Sequence, residues 1–301
     1  MDKILVGYDA SPGADQAVAL VAAMPWDAET HIHLVTAVAG TRELRAVWGP
    51  LAMSDSGALA LEVKAQADEA LADACNRLSP IGLTVDCTVL TGRPPQALAE
   101  EARRRAATLM VVGSRGLGTI ASTVLGSVSA EVVDIAPCPV LVARSAAVRS
   151  IIYATDGSPN AEEAEAFLSS LPVAQSVPVR VVSIAAMNHL WTTGIAPTMY
   201  HPALVAQAEY ENELRQSHSA IAAASSARLT SHGIDARPEV RVGDPAAEVL
   251  KIAAAAQADL IVLGSRGQTG LKRLLLGSVA RRVLHHASAS VLIVRSAIGE
   301  A

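Results

Sequence analysis

Short runs of Val, Ile and Leu alternate with longer amphipathic stretches along the whole chain. The runs at 3–8, 31–38, 83–90, 108–112 and 139–143 predict strands in the first half. Those at 150–155, 177–185, 234–242, 259–263 and 290–294 predict strands in the second. Most are continuously apolar, as expected of strands covered on both faces. Between them the spacing turns helical: Leu71, Cys75 and Leu78 share one face at i, i+4, i+7. Ser11-Pro12 and Ser158-Pro159 read as an N-cap followed by proline at the first helical position. Segments 127–137 and 278–288 predict short helices leading into a last strand. This alternation implies an α/β fold, with open parallel sheets and right-handed crossovers.

The pattern occurs twice. Residues 111–144 align with 262–295 without a gap and share 14 of 34 positions. Tyr8-Asp9-Ala10-Ser11-Pro12 matches Thr155-Asp156-Gly157-Ser158-Pro159 at an offset of 147, whereas the later block has an offset of 151. Gly92 and Gly243 already sit at the larger offset, so a four-residue insertion lies upstream of Gly243. The expected domains are 1–148 and 149–301, with five strands each. Copies of about 150 residues are domain-sized rather than solenoid repeats.

The 301 residues are 51% hydrophobic but only 3% aromatic, so the core must be aliphatic. A net charge of -5 argues against nucleic acid as a partner. The first half carries 11 Lys+Arg against 16 Asp+Glu, the second 13 of each, so neither is a charged tail. Cys75, Cys87 and Cys138 are too few and scattered for a disulfide framework. His285 and His286 are adjacent and face two directions on a helix, a poor metal pair. No apolar run is long enough to span a membrane. The N-terminal Ile4-Leu5-Val6 run meets Asp9 at once and reads as a strand rather than a signal peptide, so a cytoplasmic protein is expected.

In open parallel sheets, ligands bind beyond the carboxyl ends of the strands. Asp9 and Asp156 follow the first strand of each copy. After the fourth comes G-x-x-G, nine residues, then G-S: Gly113, Gly116, Gly126, Ser127 and Gly264, Gly267, Gly277, Ser278. Two readings are open. The glycines are turn and cap residues, or they cradle phosphate, with backbone brought close to the ligand and a helix N-terminus facing an anion. The same spacing twice, amid diverged sequence, favours the cradle. A phosphate-binding P-loop and a dinucleotide fingerprint are both absent.

These motifs, with Val6-Gly7-Tyr8-Asp9-Ala10-Ser11, Leu125-Gly126-Ser127-Val128 and Ala136-Pro137-Cys138-Pro139-Val140-Leu141-Val142, resemble the universal stress protein family in its tandem form. The G-x2-G-x9-G-S spacing is similar to the signature of its ATP-binding branch. The resemblance implies Rossmann-like domains of the adenine nucleotide alpha hydrolase type. It also implies an ATP, ADP or AMP site in each copy, with Mg²⁺. Gly113, Ser114, Arg115, Gly116, Leu117, Gly118 and Thr119 would wrap ribose and phosphates. Gly126, Ser127 and Val128 would cap the phosphate chain, Gly7 and Asp9 would line the nucleoside end, and Ala37 would meet adenine. In the second copy these roles fall to Gly264, Ser265, Arg266, Gly267, Gln268, Thr269, Gly270, Gly277, Ser278, Val279, Ala154, Asp156 and Ile184. Single-domain relatives pair through the last strand, which a tandem chain can satisfy internally, giving a pseudo-two-fold molecule open to further homodimerisation.

Two departures stand out: Ala154 replaces Gly7, and Thr108 replaces Asp259. Lys272, Arg273, Arg281 and Arg282 align with Ala121, Ser122, Ala130 and Glu131, which predicts a tighter, more salt-sensitive second site. Each site offers a single Asp, too little for efficient phosphoryl transfer. The expected function is therefore an ATP-binding stress-response regulator working through an unknown protein partner. A slow ATPase and a scaffold with vestigial pockets are the alternatives. The copies differ most at 40–57 and 186–206, where Trp48, Trp191, Tyr200 and His201 read as lid, contact or core residues.

Overall fold

The computed structural model describes residues 3–38, 56–79, 82–116, 125–186, 197–267 and 276–295. The first domain runs β1 (Lys3–Gly7), α1 (Pro12–Ala23), β2 (His31–Val38), α2 (Ser56–Leu78), β3 (Thr84–Thr91), α3 (Pro94–Arg105), β4 (Leu109–Gly113), α4 (Ser127–Ile135) and β5 (Val140–Ala143). The second runs β6 (Ile151–Ala154), α5 (Pro159–Ser170), β7 (Val179–Ala185), α6 (Pro197–Ser231), β8 (Ala236–Val242), α7 (Pro245–Ala255), β9 (Leu260–Gly264), α8 (Ser278–His286) and β10 (Ser290–Val294). Each expected strand appears within two residues of its expected bounds.

The strands form one ten-stranded sheet in the order β3-β2-β1-β4-β5-β10-β9-β6-β7-β8. Pairing is parallel within each domain. It is antiparallel where the domains meet, with Val142 opposite Val291, Leu141 opposite Leu292 and Val140 opposite Ile293. The apolar last strands thus cover each other's edge, as expected of a tandem chain.

The strands bury both faces. Along β4, Leu109 and Val111 point into one core with α1, α2, α5 and α6. Met110 and Val112 point into the other with α3, α4, α7 and α8. Both cores run through the two domains, so the molecule is three continuous layers. Ser11 and Ser158 do cap α1 and α5: their hydroxyls accept from Ala14 N at 3.2 Å and Ala161 N at 3.3 Å.

Three expectations need correction. Cys75 on α2 and Cys87 on β3 form a disulfide, with Cα atoms 6.7 Å apart. Helical spacing put Cys75 on the inward face of α2, but nothing along the chain shows that this face lies against Cys87 on β3. Segment 186–206 is not all connecting loop, since α6 starts at Pro197. Trp48 and Trp191 lie outside the described residues. Finally, Gly7 and Ala154 are matched to their neighbours. A Cβ on Gly7 would sit 3.2 Å from Leu98 and Val112 side-chain carbons. At the aligned positions of Leu98 and Val112 the second domain has the smaller Val249 and the larger Leu263, so the wall around Ala154 is repacked rather than copied.

Candidate nucleotide site

The carboxyl ends of β1 and β4 open into a cavity of about 440 Å³. Gly7, Asp9, Ala37, Gly113, Arg115, Gly116, Gly126, Ser127 and Val128 line it, all expected from the sequence. Tyr8, Val35, Leu98, Val112 and Leu125 add an apolar wall that the motifs did not reveal. Leu117, Gly118, Thr119, Gln268, Thr269 and Gly270 lie outside the described residues, as do Lys272 and Arg273. Ser114 is expected at the ligand but is buried and does not line the cavity. Its N–H donates to Ala143 O at 3.1 Å and its carbonyl accepts from Gly126 N at 2.8 Å. It braces the loop.

The second domain repeats this frame. Ser265 N donates to Val294 O at 2.7 Å, and Gly277 N donates to Ser265 O at 2.8 Å. Asp156 Oδ1 accepts from Ser158 N at 3.0 Å, as Asp9 Oδ1 accepts from Ser11 N at 3.1 Å. Ala154 ends β6 and Ile184 lies in β7, next to the strand end. Arg266 and Val279 occupy the positions of Arg115 and Val128. The Ser265 hydroxyl is buried without a hydrogen-bond partner among the described residues.

The motif glycines divide by cause. A Cβ on Gly113 would lie 2.4 Å from the Gly13 carbonyl carbon, and one on Gly264 would lie 2.6 Å from Asn160 O. These glycines let α1 and α5 cross the sheet closely, so helix packing alone requires them. Gly116 and Gly267 are pressed against the carboxylates of Asp9 and Asp156, at 2.6 and 2.5 Å from a built Cβ. Gly126 and Gly277 differ. They have φ near -64° and -62°, open to any residue, and a Cβ there meets nothing closer than 3.4 and 3.3 Å. Lacking a side chain, they cannot cap α4 and α8 themselves. The first N–H groups of those helices are therefore left for another acceptor.

Of the basic residues particular to the second copy, the two that are described, Arg281 and Arg282, are held by carboxylates. Arg282 pairs with Asp244 at 2.8 Å and Arg281 with Asp134 at 3.6 Å. The first domain makes the same contact with charges reversed, Glu131 pairing with Arg93 at 3.1 Å. Thr108 and Asp259 likewise each make a local bond: Thr108 Oγ1 donates to Lys3 O, and Asp259 accepts from Arg149.

Other polar sites escaped sequence reasoning because their partners lie on different elements. His33 in β2 is buried and meets Glu101 of α3 at 3.1 Å. Arg104 and Arg105 donate to Glu101 and hold its carboxyl down at about 2 despite burial. Burial and Arg105 lower the His33 imidazole. In the second domain His218 of α6 meets Ser183 at 2.8 Å, and burial lowers its pKa too, against the pull of Asp156.

With this geometry in view, the comparisons decide the family. The model of the universal stress protein family matches residues 1–144 and again 147–295. The chain belongs to the universal stress protein family. A universal stress protein of Mycolicibacterium smegmatis is 28% identical over 311 residues, covering 97% of this chain and 96% of that one. One from Methanocaldococcus jannaschii is 48% identical over 63 residues, but these cover only 21% of this chain and 37% of that protein. The crystal structure of a universal stress protein from Archaeoglobus fulgidus shares the fold. Its TM-score is 0.67 at 16% identity, over 97% of this chain and 98% of that one. The family is one of stress-response proteins, and its tandem form has the α/β architecture described above.

Proposed function

We propose that this tandem universal stress protein binds one adenine nucleotide per domain and acts as a regulator read out through nucleotide occupancy. The observation that carries this reading is the meeting of an apolar cavity with an uncapped helix N-terminus. Val35, Leu98 and Val112 suit a base, while Ser127 and Val128, in the uncapped first turn of α4, present amides without an intrahelical partner at the other end. The positive end of the α4 dipole favours an anion there. The fit extends to size, since small-molecule sites run to about 300–1,000 Å³.

Asp9 is the one carboxylate lining the cavity among the described residues. It would give Mg²⁺ a single protein ligand, the remainder coming from phosphates and water, as is usual for this ion. Arg115 is the lining cation. Among the described residues no second carboxylate and no histidine stands beside Asp9 in the lining, which supports a site that holds a nucleotide with at most slow turnover. Because β5 and β10 pair within the chain, one polypeptide carries both sites. Among the described residues no helix is long and apolar enough to cross a membrane. We place the protein in the cytoplasm, although the Cys75–Cys87 bond is a feature of oxidising compartments.

Mass spectrometry of small molecules released from freshly purified protein tests the reading. ATP or ADP at near two per chain supports it. Protein that carries none, and takes up none from millimolar Mg·ATP, refutes it. Steady phosphate release abolished by Asp9→Ala and Asp156→Ala together would turn the reading toward a slow ATPase.

A further inference from the structure

The aligned block of the repeat ends on two arginines, Arg144 after β5 and Arg295 after β10. Each crosses into the other domain. Arg144 Nη2 donates to Leu284 O at 2.6 Å, and Nη1 to Ala289 O at 3.4 Å. Arg295 Nη1 donates to Val133 O at 2.7 Å and also to Asp134 O. Val133 and Leu284 are equivalent positions, each third from the end of its helix. The carbonyls of a last turn have no intrahelical partner, and a cation is favoured beside them. Thus each helix whose N-terminus faces a candidate phosphate site has its other end held by the opposite domain's arginine. The helices have nine residues, about 13 Å of rigid rod.

Each arginine is also tied to its own domain's glycine loop. Ser114 N bonds to Ala143 O, one residue before Arg144, and Ser265 N bonds to Val294 O, one residue before Arg295. The carbonyls of the same serines accept from Gly126 N and Gly277 N. A connected path therefore runs from the first site through Arg144 to α8 and the second site. Its mirror runs from the second site through Arg295 to α4 and the first. Charge acts along it as well. Burial is the main opposition to both guanidinium charges; Arg115 adds to it at Arg144, and at Arg295 Arg266 adds to it against the pull of Asp134. An anion seated beside Arg115 would offset that smaller, electrostatic part of the opposition.

We propose that these crossed arginines couple the two sites, so that filling one raises the affinity of the other, and that each is a positioning residue for the opposite domain's site. The proposal rests on reading the cavities as nucleotide sites. Coupling between sites spans about 5- to 150-fold, and a contact at the far end of a short helix belongs at the low end of that range.

The test is calorimetry with Mg·ATP on full chains in which one site is closed by an acid at the helix N-terminus. Ser127→Asp closes the first site and Ser278→Asp the second, both at exposed positions where an acid suits the helix itself. With only the second site open, Arg144→Met should weaken binding about fivefold and Arg295→Met should leave it unchanged. With only the first site open, the two arginines should exchange roles. Arg144→Lys should restore part of the loss, and it stands in should the Met variant fail to fold. The unaltered chain should bind with a Hill coefficient above one. Equal weakening of both sites by either arginine would reduce the pair to an interdomain clamp and overturn the coupling. So would full independence of the sites. An unaltered chain that binds no nucleotide overturns the site reading and the coupling together, which is distinct from binding without the crossed effect.

Discussion

The two domains place the same frame on different side chains. Both use a serine cap, a glycine under the first helix and an arginine that crosses the interface. The contacts around that frame are rewritten. Arg93 with Glu131 becomes Asp244 with Arg282, the charges trading places. Gly7, facing Leu98 and Val112, has Ala154, Val249 and Leu263 at the aligned positions. Arg77 persists as Arg228 but changes its partner, from Asp15 to Glu165, which aligns with Val18. Buried His33 and Glu101 have Arg180 and Ile252 at the aligned positions. The lesson is that pairwise contacts can be exchanged wherever both partners change together. The retained features are those for which backbone geometry leaves one solution.

The harshest test of that distinction is at the packing glycines. Gly113→Ala and Gly264→Ala each push a methyl into helix backbone, so each should cost about 3 kcal/mol, the upper end for overpacking. Urea denaturation measures it. If one substitution is nearly neutral, the two helix crossings are not equivalent and the comparison breaks there.

The His33–Glu101 pair should make the first domain more sensitive to acid. Glu101 has a depressed pKa in the folded state, so its contribution is present above its ordinary value of 4.5 and is lost as pH falls toward about 2. After allowance for the exposure of Arg104, that contribution is about 2 kcal/mol. His33 is depressed as well, so its neutral form favours folding above its ordinary 6.5 and the benefit fades as pH drops below it. Glu101→Ile, which copies Ile252, should be less stable than the parent at pH 7. The gap should close between pH 4.5 and 2. A gap independent of pH would mean that packing, not charge, sets the cost.

The smallest effect belongs to the reversed pair. Arg93→Asp with Glu131→Arg copies the second domain onto the first and should change stability by less than about 0.5 kcal/mol, because exposed pairs contribute little. Glu131→Arg alone sets two cations together and should be the less stable variant. If the double variant is the worse of the two, the local backbone discriminates between the arrangements.

Much of this was readable in one dimension. Continuous apolar runs located the strands, and Ser11 and Ser158 marked the helix starts, because these signals are local. Asp9, Gly116 and Gly126 converge because they follow strands whose ends meet, which the topology of a parallel sheet implies. What stayed hidden depends on which elements touch. Gly113 was legible as a residue of the cavity, but not as the position over which α1 crosses the sheet. Arg281 and Arg282 looked like phosphate ligands, but carboxylates on α4 and at the start of α7 hold them. Arg144 and Arg295 were visible as a shared position and nothing more, since their partners are backbone carbonyls about 140 and 160 residues away in sequence.

The decisive experiment is a calorimetric count of Mg·ATP sites across four proteins. The account predicts two per chain for the unaltered protein, one for Ser127→Asp, one for Ser278→Asp and none when both are present. A count left unchanged by these substitutions would show that nucleotide does not sit on the N-termini of α4 and α8.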